Sequence, residues 1–381
     1  MIHWMLLHGN DTPSDSDAAT KTVWLLLAVA LNTLELIIPR IPMLPWLKPG
    51  LANSITIIWI IRYGITDALF YTLLRIWISS FYFGFSLVTM ALAVSGGVSA
   101  TLAMGGLWYL LGRRGYCGTL GCAVTGAVFH NAGQLGAVYF LLTRNSVVFY
   151  QIPFMGVAAL LFGTVIGSIV PLLWRILVMD AATLRRPVDH PLTKMSLRRP
   201  DTRTIILNSG IITGSAALVL VKSMPFLGAV AAAVTITAFL MLDRNPAVLF
   251  YPFRMWAMFL FVVLVYLFFS YGMRVPFFPL VTYEGLAETA RQCLRLWTWL
   301  ETGRILQRLQ CNSVLFTALG RLFPGHAGTL ISGLFALEYF PDVISFVKFK
   351  GARAGIDWRR PMQGIAEFTV RVQAHILELV G

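Results

Sequence analysis

Apolar stretches of bilayer-crossing length recur along this chain from Val23 to Gly272, and they restrict its fold class more than any other feature. The hydrocarbon core of a bilayer is about 30 Å thick, so a crossing helix needs roughly 20 predominantly apolar residues. No water reaches that depth to satisfy backbone N–H and C=O groups, so only helices or closed barrels cross it. The apolar runs show none of the two-residue alternation of barrel strands. The expectation is an all-α, polytopic helical membrane protein. Charged residues make up 12% of the chain, against about 25% in soluble domains.

The first 22 residues are expected to be a cytoplasmic segment. They lack a basic start, and a short apolar opening gives way to a polar, acidic run, which does not read as a signal peptide. The net charge of +13 does not point to nucleic acid. Much of it lies in loops beside the apolar spans, as the positive-inside rule requires. Cys117 and Cys122 stand five apart, which suits neither a disulfide nor a metal pair on a helix, and no CxxC pair is present.

Six spans are expected in a first domain over 23–178. The first is about 23–39, with Asn32 and Glu35 inside it, followed by a stiff segment holding Pro39, Pro42, Pro45 and Pro49. Residues 48–84 divide at Arg62-Tyr63-Gly64 into two spans, the second carrying Asp67 and Arg75. These two are eight apart, so two helical turns separate them and each needs a partner of its own or water. Spans at 85–111, 117–143 and about 151–174 complete the set. With the N-terminus inside, Arg62, Arg113, Arg114 and the residues after Arg175 all fall on the cytoplasmic face. A basic linker over 179–203 marks the domain boundary. The second domain, 204–355, holds spans near 204–222, 226–242 and 247–272, then an Arg-rich amphipathic stretch over 283–323 and an apolar stretch over 326–349. The tail, 356–381, is polar and reads as helical.

The span 117–143 carries the strongest functional signal. Gly118, Cys122, Gly126, His130 and Gln134 recur every four residues, which places them on one helix face. The small ones admit a close neighbour. Polar groups at mid-membrane depth are costly unless paired or wet, so His130, Asn131 and Gln134 read as a ligand site. For any one of them alone, bonding to a neighbouring helix is the simpler account. No P-loop, HExxH, GxSxG or aspartate-rich motif is present, and no metal-ligand spacing. The reading is therefore of a non-enzyme with no cofactor and no metal.

Four motifs together resemble the Gx transporter family, also labelled heptaprenyl diphosphate synthase component I. They are Lys48-Pro49-Gly50-Leu51-Ala52-Asn53, Leu74-Arg75 leading to Phe83-Gly84, Ser95-Gly96-Gly97, and Gly126 to Leu135 around His130-Asn131. That family is similar to the substrate-binding S components of energy-coupling factor transporters. The resemblance implies six helices around a micronutrient site, with His130, Asn131, Gln134, Asn53, Arg75 and Glu35 lining or supporting it. It also implies a first helix that meets a coupling protein, although Ala28 and Asn32 make an imperfect small-xxx-small motif there. The second domain resembles, on Tyr283-Glu284-Gly285-Leu286, its Arg-rich segment and Ala352-Arg353-Ala354, the T component of such transporters. This implies cytoplasmic coupling helices, with Arg353, and Arg304 or Arg321, docking on separate ATP-binding cassette ATPases. The expected function is a fused S–T subunit of an importer for a vitamin-like molecule in the inner (cytoplasmic) membrane. A membrane subunit for isoprenoid or quinone (heptaprenyl diphosphate) synthesis, or of a redox complex, is the alternative.

Overall fold

A computed structural model describes residues 15–35, 49–83, 87–180, 202–241, 251–253, 255–269, 272–309, 326–348, 356 and 361–380. The Pro-rich segment after Glu35, most of the basic linker, and Arg321 and Arg353 lie outside these residues. The described residues are helical apart from one small hairpin and short turns.

The first half comprises α1 (Asp15–Glu35), α2 (Asn53–Tyr63), α3 (Ile65–Phe83), α4 (Leu87–Leu107), α5 (Thr119–Ala137) and α6 (Ile152–Asp180). They overlap the six apolar segments of the sequence. The break between α2 and α3 is at Gly64, whose φ of +85° and ψ of 175° lie in a region that glycine alone enters readily. Helices α4 and α5 each end in a widened π turn, Trp108–Gly112 and Val138–Thr143. The second half comprises α7 (Thr202–Ala217), α8 (Met224–Met241), α9 (Trp256–Phe268), an antiparallel hairpin of β1 (Arg274–Val275) and β2 (Phe278–Thr282), α10 (Tyr283–Arg308), α11 (Ala327–Lys348) and α12 (Pro361–Val380).

Three stretches among the described residues are long and apolar enough to cross a bilayer: Leu87–Gly112, Ser146–Arg175 and Met224–Met241. The apolar α9 is shorter. The chain thus has the character of a membrane protein, with fewer strongly apolar helices than the sequence segments suggest. Length and composition account for the difference, since α2 has 11 residues and α1 includes Asp15, Asp17, Lys21 and Glu35; burial differs between the helices as well. Every residue from Val23 to Leu31 of α1 is at most 2% exposed, so that helix meets other helices rather than lipid on all sides. By contrast, α6 turns Phe154, Val157, Leu160, Leu161, Val165 and Leu172 outward, a face suited to acyl chains.

Helix α1 begins at Asp15, eight residues before the apolar run. Lys21 and Thr22, expected in a cytoplasmic segment, are already buried. The enclosure of α1 comes from the far end of the chain as well as from its own half: α11 and α12 both pack on it. Ile365, Phe368, Val372 and Ile376 of α12 recur at helical spacing and are at most 7% exposed. The tail is therefore an amphipathic helix seated on α1 and α6. Helix α10 runs unbroken for 26 residues, about 39 Å at 1.5 Å per residue. It packs on α8, α9 and α4; its buried residues, Gly285 apart, run from Gln292 to Leu306, whereas Tyr283 and Leu286 in its first turn are exposed.

Glycine sets the closest crossings. A Cβ on Gly133 of α5 would lie 2.5 Å from the Ser95 carbonyl oxygen of α4. One on Gly163 of α6 would lie 2.6 Å from the Val124 Cα. No larger residue permits these backbone distances, which is the use of small residues that the sequence leads one to expect.

Candidate functional site

On α4 the adjacent glycines Gly96 and Gly97 form two notches facing different neighbours. A Cβ on Gly97 would meet Ile76 Cδ1 of α3 at 2.8 Å, and one on Gly96 would meet Gln134 Cγ of α5 at 2.8 Å and His130 Cε1 at 2.9 Å. His130 and Gln134 therefore lie side by side across α4, as their spacing of four requires. Gln134 is 4% exposed, and its side-chain Oε1 is buried without a hydrogen-bond partner among the described residues. A buried carbonyl left unpaired costs about 1–3 kcal/mol, so this oxygen is a natural acceptor for a ligand donor.

Asn131 turns the other way. Its Nδ2 donates to the Met155 carbonyl of α6 at 2.9 Å. This residue fastens α5 to α6, which is the simpler of the two accounts that its sequence allowed.

Glu35, Asn53 and Arg75 gather at the junction of α1, α2 and α3. All three are at most 7% exposed. The Glu35 carboxylate accepts the Leu51 N–H just ahead of α2. Arg75 Nη2 donates to Asn53 Oδ1 at 3.4 Å, while Arg75 Nε is buried with no hydrogen-bond partner among the described residues. No ion pair to Arg75 is present among them either. A buried guanidinium held by one long hydrogen bond is poorly compensated, and an incoming anion would compensate it. The six residues anticipated from sequence thus form two groups, His130–Gln134 and Glu35–Asn53–Arg75, with Asn131 outside both. Helix α4 touches both neighbourhoods, its Gly97 against α3 and its Gly96 against α5.

The residue that sequence reasoning left without partners, Asp67, is the centre of a buried ionic node. Lys21 Nζ of α1 lies 3.1 Å from its Oδ2. Trp59 Nε1 of α2 donates to the same oxygen at 3.0 Å, Thr329 Oγ1 of α11 donates to Oδ1 at 2.7 Å, and His326 Nδ1 lies 3.0 Å from Oδ1. The His326 ring stacks on Phe70 at 4.4 Å between centroids, and Lys21 Nζ sits 4.4 Å from the Tyr63 ring centre. The node joins α1, α2 and α3 to the start of α11, across 259 residues of sequence in the His326 contact. Asp67 and Arg75 do not pair, in keeping with the two turns between them.

Of the residues expected to couple to ATPases, only Arg304 lies among those described. It is half-buried, 3.3 Å from Glu301 and stacked 4.2 Å over the Tyr251 ring. Among the described residues no group of three or more His, Cys, Asp or Glu side chains is placed to hold a metal ion. Cys117, Cys122 and Cys293 are free thiols.

Residues 25–173 match a family model described as heptaprenyl diphosphate synthase component I. The match begins inside α1 and ends near the end of α6, so it contains both polar groups and Asp67, but neither Lys21 nor the second half. No curated protein and no solved structure matches the chain.

Proposed function

We propose that this chain is the membrane subunit of an importer for a small polar molecule, a substrate-binding half fused to a coupling half that works with separate ATP-binding cassette ATPases. The observation that carries the reading is the position of α1. It is the first helix of the segment that matches the family model, and α11 and α12 of the second half enclose it. In S components, to which the first half is similar, the first helix is the surface that meets the coupling protein. Enclosure of α1 from Val23 to Leu31 is what a covalently joined pair of such halves requires.

The substrate sits among the first-half helices. Gln134 Oε1 and the imidazole of His130 meet it from the α5 side, and Arg75, steadied by Asn53, meets it from the α3 side. Glu35 supports that second group by holding the backbone at Leu51. Arg75 favours a substrate with a carboxylate or phosphate, since a guanidinium binds such groups through a planar fork. The subunit resides in the inner membrane with its N-terminus inside, on the strength of the basic residues in the alternate loops. Transport proceeds by movement of the first half against the second, and the energy comes from the ATPases, with Arg304, Arg321 and Arg353 as the coupling residues.

The test is purification in mild detergent followed by mass spectrometry of the bound small molecule and of any co-purifying subunit. An ATP-binding partner, and a ligand lost in His130→Ala, Gln134→Ala and Arg75→Met, are the expected results. Recovery of no ATPase, together with uptake that Arg353→Glu leaves unchanged, would overturn the coupling role.

A further inference from the structure

Beyond the end of α5 the chain meets the far end of α9 and the start of α10, and these three segments surround a cavity of about 610 Å³. Arg144 and Ser146 line it from the first half, and Tyr266, Phe269, Glu284, Glu288 and Arg291 from the second. Its balance of charge is uneven. Glu284 accepts the Met273 N–H at 2.9 Å and so ties the hairpin to α10. Glu288 accepts from Gln292 at 2.8 Å, is paired with Arg291, and lies 3.8 Å from Arg295. Both carboxylates are thereby engaged.

Three guanidinium groups share what they leave. Arg295 is 4% exposed and lies close enough to Arg144 and Arg291 to be repelled by both. The Nε atoms of Arg291 and Arg295 are buried without a hydrogen-bond partner among the described residues. The Arg144 guanidinium has no hydrogen bond or ion pair among those residues. Its backbone is held at φ +46° and ψ +23°, the left-handed conformation found at no other described non-glycine residue. The neighbouring Asn145 fixes that turn, accepting the Val147 N–H at 3.0 Å and donating to the Phe269 carbonyl of α9 at 3.2 Å. That conformation closes the π turn as its C-cap, with the Arg144 N–H donating to the Tyr139 carbonyl, and it leaves the exposed Arg144 side chain at the rim of the cavity.

We propose that this cavity binds a phosphate group, with Arg144 and Arg291 as its forks, Arg295 as the charge behind them, and Tyr266 and Phe269 as the wall for the rest of the ligand. Several guanidinium groups converging on one space suit an anion with three acceptor oxygens better than a two-oxygen carboxylate. The phosphate belongs to a soluble molecule or to the headgroup of an anionic lipid. The site is separate from the His130 and Arg75 groups and does not depend on the transport reading. Since its residues come from both halves, its occupation would bridge them.

The experiment measures thermal unfolding of the full chain, at constant ionic strength, in two arms. One titrates inorganic phosphate in a neutral detergent against a chloride control. The other compares nanodiscs of phosphatidylcholine alone with nanodiscs containing phosphatidylglycerol. A saturable rise in melting temperature in the first arm, with apparent affinity at least tenfold weaker in Arg144→Gln and Arg291→Gln, supports a soluble ligand. A rise confined to the second arm and lost in the same variants supports a lipid headgroup. Arg113→Gln, a distant exposed cation, is expected to change neither arm. Arg291→Gln removes an ion pair and is open to misfolding, so Arg144→Gln, which removes none among the described residues, is the decisive variant. A response that survives in Arg144→Gln, or no response in either arm, overturns the site.

Discussion

Replacing Asp67 with alanine removes the carboxylate that Lys21, Trp59, His326 and Thr329 converge on. The side chains of Asp67 and Lys21 are each 10% exposed, so the pair has little water to fall back on. Breaking a buried ion pair by deleting one partner costs about 3–5 kcal/mol, because it strands the other charge. Lys21 keeps weaker contacts that include Thr329 Oγ1 at 3.4 Å and the Tyr63 ring, so the lower end, about 3 kcal/mol, is expected. Unfolding titrated with SDS in mixed micelles measures the loss. The cycle of Asp67→Asn, Lys21→Met and the double variant isolates the contribution of charge. The asparagine keeps one acceptor oxygen, for the Trp59 or the Thr329 donor but not both, since these bond different carboxylate oxygens, so the double variant should recover part of what each single one loses. Because His326 and Thr329 head α11, Asp67→Ala should also quicken amide exchange at the start of that helix. An Asp67→Ala protein that unfolds within about 0.5 kcal/mol of the parent, the usual range of a surface change, would refute a structural role for the node.

Asn131→Ala and Gln134→Ala should separate cleanly. The first removes the bond that fastens α5 to the Met155 carbonyl and should cost about 1 kcal/mol of stability in the same titration, whereas the second removes an already unpaired acceptor and should lower ligand occupancy by mass spectrometry while leaving stability almost unchanged. Arg75→Met should likewise abolish occupancy at little cost in stability, since replacing a poorly compensated buried charge with an apolar chain of similar size is often neutral or stabilising; marked unfolding would show that Arg75 is structural. Gly133→Ala should destabilise by about 1–3 kcal/mol through overpacking against Ser95, while Gly106→Ala, with nothing within 4 Å of a new Cβ, should be neutral or slightly stabilising. Equal effects at the two glycines would argue against the close crossing of α4 and α5.

The helices were legible because their signals are local. A run such as Val23 to Leu31 must bury its apolar side chains and satisfy its own backbone, whichever neighbours it has. The four-residue stripe from Cys122 to Gln134 was legible for the same reason, since helical geometry alone places those side chains on one face. Asn131 shows the limit: it stands one residue from His130, a rotation of about 100° at 3.6 residues per turn, and that sends it to α6 while His130 faces α4. Amphipathic α10 carried a mixed signal, because arginine on an interior helix and arginine on an interfacial one look alike in a sequence.

From its sequence alone this chain is a helical membrane protein whose first half carries the polar residues of a candidate binding site. Those properties follow from composition, apolar length and helical period, each set within about 20 residues. The tertiary structure alone decided what meets those residues. It buried α1 beneath α11 and α12, gave Asp67 its partners from α1, α2 and the start of α11, divided the expected site into two groups, and brought Arg144 to Arg291. Each of these rests on contacts between residues far apart in sequence, and such contacts come from side-chain packing rather than from any property of the segments that make them.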